Sequence, residues 1–94
     1  MMAVENQIEM IDKSLGKAVE KVTSGYLLTV NEQSIVNLYQ LIMEEIEAPL
    51  YEAVIKHCRF NQSRATIMLG VSRGTLRAKL RYYFDDKYVG TRGE

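Results

Sequence analysis

Ninety-four residues make one domain, and with 47% hydrophobic residues the chain is no disordered tail. Its formal charge of zero hides a segregation: residues 1–52 hold three lysines against nine acids (net −6), residues 53–84 hold seven basic residues and no acid (net +7), and residues 85–94 are net −1. One cysteine excludes an internal disulfide, and with neither an apolar run of membrane-spanning length nor a basic-then-apolar leader, a reducing, cytoplasmic setting is expected.

Residues 1–13 mix apolar and acidic groups without clear period and are expected to be a mobile N-terminal arm. Ser14 can cap a helix over about 15–28, because Leu15, Val19, Val22 and Tyr26 fall on one face. Gly16 and Gly25 weaken it, at about 1 kcal/mol each against alanine. Val30–Gln33 reads as a connector. From Ser34 the apolar residues Ile35, Leu38, Tyr39, Leu41, Ile42, Met43, Ile46, Leu50, Tyr51, Val54, Ile55 and Cys58 occupy more than one helical stripe. Two apolar faces need two surfaces, and a second copy of the chain is the expected second one. A continuous helix over 34–59 would be roughly 39 Å long. Pro49 interrupts it, since it has no N–H for the Glu45 carbonyl. The spacing allows either one kinked helix or two helices meeting at Pro49.

Asn61–Tyr83 organises the rest: two short helices around a tight turn. Asn61 caps the first, to which Ala65, Ile67, Met68 and Leu69 give apolar surface; Gly70 ends it where positive φ is needed. Val71 packs beneath the turn, and Ser72 caps the second helix, where Leu76, Leu80 and Tyr83 share one face. Arg73, Thr75, Arg77 and Arg81 point elsewhere, with Lys79 on the flank. This is the pattern of a helix-turn-helix whose second helix can enter a DNA major groove. A surface hairpin with merely solvated arginines is the alternative; the concentration of positive charge in this one third argues against it. Asp85–Asp86 opposes a helix C-terminus electrostatically, so the helix is expected to end near Phe84, with 85–94 a loose tail.

Catalytic and metal-binding patterns are wanting. His57 and Cys58 are neighbours and diverge by about 100° on a helix, so they form no nucleophile–base pair. One His and one Cys cannot build a structural zinc site. Cys58 reads as core filler, His57 as a surface or interface residue, and Glu44, Glu45 and Glu47 as a solvated face. Gly70 and Gly74 lack the lysine of a phosphate-cradling loop. No enzyme, cofactor, metal or small-molecule substrate is expected. For DNA, Asn61, Ser63 and Arg64 open the first helix, where backbone N–H groups favour phosphate. Ser72, Arg73 and Thr75 open the second, whose N-terminal end reaches base edges; Arg73 is the candidate for guanine. Arg77, Lys79 and Arg81 are assigned to phosphates.

Leu38-Tyr39, Glu45-Ile46-Glu47-Ala48-Pro49-Leu50, Asn61-Gln62-Ser63-Arg64-Ala65 and Gly70-Val71-Ser72-Arg73-Gly74-Thr75-Leu76-Arg77 resemble the Fis family, the factor for inversion stimulation. The last two are also similar to the DNA-binding end of nitrogen-regulator-type activators. The resemblance covers about residues 34–83. It implies an all-α, four-helix protomer in which 14–59 form dimerisation helices, with a single kinked helix through Pro49, and 61–84 the helix-turn-helix. It further implies an intertwined homodimer that bends double-stranded DNA, a nucleoid-associated regulator of transcription, and DNA contact at Asn61, Ser63, Arg64, Ser72, Arg73, Thr75, Arg77 and Lys79. The chain departs where the family has Asn at Ser72 and Lys at Ala78. Those departures motivate a second reading: a protein-interaction regulator with weak DNA binding, whose acidic N-terminal half binds a transcription partner such as RNA polymerase. The family's recombinase-touching arm has no clear counterpart in 1–13, so recombination stimulation is not expected.

Overall fold

The computed structural model describes the backbone of residues 2–29 and 36–89 and the side chains of 14–28 and 36–89. The described residues form four helices: α1 (Met2–Thr29), α2 (Leu38–His57), α3 (Gln62–Leu69) and α4 (Arg73–Phe84). Packing divides the chain into two compact units, residues 1–42 and 43–94.

In the first unit α1 begins at Met2, well before Ser14, which lies inside the helix and caps nothing. The reason is legible in retrospect: residues 2–13 contain neither proline nor glycine, and Ile8 and Ile11 carry the Leu15 stripe backwards at helical steps. Gly16 and Gly25 are absorbed within the helix. Leu15, Val22, Leu27 and Leu28 remain exposed, Leu28 at 86%. The connector over 30–33 and the expected helix start at Ser34 lie outside the described residues.

α2 is one helix with Pro49 inside it, so the reading with two helices meeting at the proline does not hold. It starts after Asn37, whose φ of 59° is the left-handed conformation that Asn tolerates best after Gly. It is shorter than expected at its other end too, closing at His57. There Phe60 N–H bonds to the Ile55 carbonyl (2.8 Å) and Arg59 N–H to that of Lys56 (3.0 Å), the paired bonds of a Schellman cap. Arg59 and Phe60 adopt left-handed φ values of 55° and 67° to make it.

The second unit holds the core. Tyr51 and Ile55 descend from α2, Cys58 follows it, Ala65 stands on α3, and Leu76 and Leu80 come from α4; Val54, Leu69, Val71 and Phe84 pack around them. Ile55, Ala65, Leu76 and Leu80 are completely buried. Ile67 and Met68, expected to supply apolar surface, are 82% and 54% exposed; of the two, Met68 touches the core, with its sulfur against Cys58. On this eight-residue helix the inward face is shared by Gln62, Ala65 and Leu69, at steps of three and four.

The stretch after α4 differs from expectation as well. α4 ends at Phe84, as the two aspartates required, but the following residues are ordered as turns and bury Tyr88 and Val89 in the core. Tyr88 packs edge-on to Phe84 (5.2 Å between centroids), stacks on Phe60 (5.9 Å) and donates its hydroxyl to Glu52. Residues 90–94 lie outside the described residues. The reversal is a four-residue turn closed by Lys87 N–H to the Phe84 carbonyl (3.0 Å), with Asp85 at φ 54°, ψ −127°. Those angles belong to the first central position of a type II′ turn, a site for glycine. Strain of this kind costs about 1–3 kcal/mol, and glycine's greater freedom when unfolded returns roughly 0.5–1. Asp85→Gly is therefore expected to stabilise the protein by about 1 kcal/mol in urea denaturation; a destabilised variant would contradict the turn geometry.

Candidate nucleic-acid interface

The α3–turn–α4 segment is built by local rules. Asn61 Oδ1 accepts the Arg64 N–H at 3.1 Å and so caps α3. Gly70, at φ 75°, lets its own N–H and that of Val71 close on the Thr66 carbonyl (2.8 and 3.2 Å). Ser72 Oγ accepts the Thr75 N–H (3.1 Å) and donates to Thr75 Oγ1 (3.0 Å), which starts α4. Leu76 and Leu80 then seat α4 on the core.

With Leu76 and Leu80 inward, the rotation of about 100° per residue sends Gly74, Ala78 and Tyr82 most nearly outward, with Thr75 on one edge of that strip and Arg81 on the other. All five are exposed. The outermost strip of α4 is thus uncharged, and the cations flank it, where the sequence suggested one basic face. Arg73, Arg77 and Arg81 run along one flank; Lys79 stands on the other.

Each cation has a partner. Arg73 Nη1 donates to Ser63 Oγ (3.2 Å) and Arg77 Nη1 to Gln62 Oε1 (3.0 Å), tying α4 to α3. Lys79 Nζ donates to Glu47 Oε1 at 2.8 Å, tying α4 to α2, and Arg81 pairs with Asp86 at 3.6 Å. Asn61, Ser63, Arg64, Ser72, Arg73, Thr75 and Arg81 are exposed, whereas Arg77 and Lys79 are half-buried. The structure therefore gathers Ser63, Arg73, Ser72 and Thr75 at the α3–α4 corner and directs Lys79 away from it. Two supporting residues escaped the sequence reading. Gln62 is 1% exposed, although its position in a first helical turn suggests a solvated side chain. Glu47, read as part of a solvated face, is the shared acceptor of Lys79 and Tyr83.

That shared carboxylate sets a pH window. The Lys79 ammonium, and then the Tyr83 hydroxyl, hold Glu47 below its ordinary 4.5. Burial and the bond to Glu47 push Tyr83 well above 10.0, and Glu47 raises Lys79 above 10.5. A depressed carboxyl contributes stability that is complete above its unfolded value and fades as pH falls through its folded one; the raised tyrosine and lysine contribute below about pH 10 and lose it above. The melting temperature of the wild type relative to Glu47→Gln should be level between roughly pH 5 and 9.5 and converge on both sides. A difference that does not change with pH would remove this cluster from the account.

Elsewhere, His57 is exposed and Cys58 is 3% exposed with its Sγ 3.4 Å from Met68 Sδ. Among the described residues no three His, Cys, Asp or Glu side chains are grouped to hold a metal, and no helix is long and apolar enough to cross a membrane.

Residues 42–83 match the family model described as "Bacterial regulatory protein, Fis family". The chain is 39% identical over 80 residues to the DNA-binding protein Fis of Pectobacterium carotovorum, covering 85% of this chain and 82% of that protein. The DNA-binding protein Fis of Yersinia pestis is equally similar over the same spans. That of Aeromonas hydrophila is 37% identical over 75 residues, 80% of this chain and 76% of its own length.

Proposed function

The chain belongs to the Fis family of bacterial regulatory proteins, and from that premise we propose that it is a homodimeric protein that binds and bends double-stranded DNA through α3 and α4, acting as a nucleoid-associated regulator of transcription in the cytoplasm. The observation that carries the reading is α4 itself. Its outward strip of Gly74, Thr75 and Ala78 is slim enough to approach a groove floor, and Arg73, Arg77 and Arg81 line one wall. Asn61, Ser63 and Arg64 at the start of α3 supply N–H and side-chain donors for phosphate. Thr75 and Arg73 sit where base edges are reached, and Arg73 can grip both major-groove acceptors of guanine. Lys79, engaged by Glu47, contributes less to phosphate neutralisation than its charge suggests.

Dimerisation is supported by apolar surface left open in a single copy: Leu15, Val22 and Leu28 on α1, and Tyr39, Leu41 and Leu50 on α2. Two recognition helices on one duplex favour bending, at a cost of order 1–6 kcal/mol in the DNA that makes flexible steps part of the specificity. The protein-interaction reading has less support, because Glu47 and Glu52 of the acidic region are already engaged within the chain, by Lys79 and Tyr83 and by Tyr88 and Lys56. The family is one of regulators, and no catalytic role is proposed.

Titration of duplex DNA at several salt concentrations tests the reading. Affinity should fall with a slope of about −0.9 per phosphate neutralised; binding that ignores salt, or none, would refute it. Sedimentation at micromolar concentration should give twice the 10.8 kDa of one chain, and a stable monomer would remove the dimer.

A further inference from the structure

Two arginines of α4, one turn apart, are held by consecutive residues of α3: Arg73 by Ser63, and Arg77 by Gln62. The two supports differ in kind. Ser63 is exposed, and its hydroxyl turns freely. Gln62 is 1% exposed, so its side chain has no such freedom. A guanidinium carries only donors, so it is the carbonyl oxygen of the Gln62 amide that must face Arg77. The bond uses Nη1 and leaves donors on Nε and Nη2 for an acidic oxygen. An arginine held in advance surrenders less side-chain freedom on binding than one that samples many rotamers.

We propose that Gln62 is a positioning residue for DNA binding: from inside the protein it sets the Arg77 guanidinium on the α3 flank of α4, ready for a backbone phosphate. The assignment rests on the DNA-binding reading above. It explains why a polar side chain is enclosed beside an apolar core, and why Arg77 is half-buried while Arg73 and Arg81 are exposed. Gln62 itself need not touch DNA.

The test is a double-mutant cycle with a fixed duplex, read at several salt concentrations and accompanied by thermal melts. Gln62→Met keeps length and removes the acceptor; it should weaken binding about tenfold, the order expected for losing a hydrogen bond to a charged group. Arg77→Ala should weaken it at least as much and reduce the salt slope by about 0.9. In the Arg77→Ala background, Gln62→Met should change affinity by less than about twofold, because the group it positions is gone. Equal losses with and without Arg77 would assign Gln62 to the core alone and overturn the proposal, as would wild-type affinity in Gln62→Met. If Gln62→Met does not fold, Arg77→Lys replaces it, leaving Gln62 in place and the charge unchanged. A similar loss at an unaltered salt slope supports positioning, and wild-type affinity overturns it. Wild-type protein without salt-dependent binding overturns the DNA reading and the proposal together, a result distinct from all the others.

Discussion

Replacing Tyr88 with alanine should destabilise the protein by about 3–5 kcal/mol, the range for removing a buried aromatic ring. The side chain is 7% exposed and joins three parts of the second unit: the ring of Phe84 at the end of α4, the ring of Phe60 after α2, and the carboxylate of Glu52 on α2. Removing it also uncovers Val89, which is 1% exposed. Tyr88→Phe isolates the hydroxyl and should cost only about 1 kcal/mol, since the rings still pack. Urea denaturation monitored by circular dichroism measures both. If Tyr88→Ala lost less than about 1 kcal/mol, residues 85–89 would be an accessory to the fold and not part of its core.

Arg73→Ala carries the largest expected effect on DNA. It should weaken specific binding by about 1–3 kcal/mol and relax base preference at one position. Arg73 is exposed at the first position of α4, and the cap it follows depends on Ser72 and Thr75. Its bond to Ser63 is at the surface, so stability should fall by about 1 kcal/mol or less, and melting temperature and affinity can be read separately. Selection of binding sites from random duplexes by the wild type and the variant gives the comparison. An identical preference in both would take base contact away from Arg73 and leave it a phosphate ligand.

What could be read from sequence was what short-range rules decide. Asn61, Gly70 and Ser72 punctuate α3 and α4 where capping chemistry puts them, because each acts on backbone groups within four or five residues. Leu76 and Leu80 were identifiable as the buried face by period alone. The rest depended on partners far along the chain. Nothing local distinguishes the enclosed Gln62 from an exposed one; its partner lies fifteen residues away. Asp85–Asp86 mark the end of a helix, but nothing local in 85–89 shows that Tyr88 and Val89 close back on a core that reaches to Tyr51. The start of α1 is hidden for another reason: periodicity over 2–13 is weak, although no breaker stands in the way. The basic face was resolved into flanks only when the inward direction of α4 was fixed by what it packs on.

That the core is completed by Tyr88 and Val89 has a bearing on synthesis. α3 and α4, of eight and twelve residues, are too short to persist as isolated helices. A nascent chain translated as far as Phe84 carries every helix of the unit yet lacks two of its inner side chains. Completion of that core must wait until Val89 has left the ribosome, and only then do α3 and α4 gain their full support.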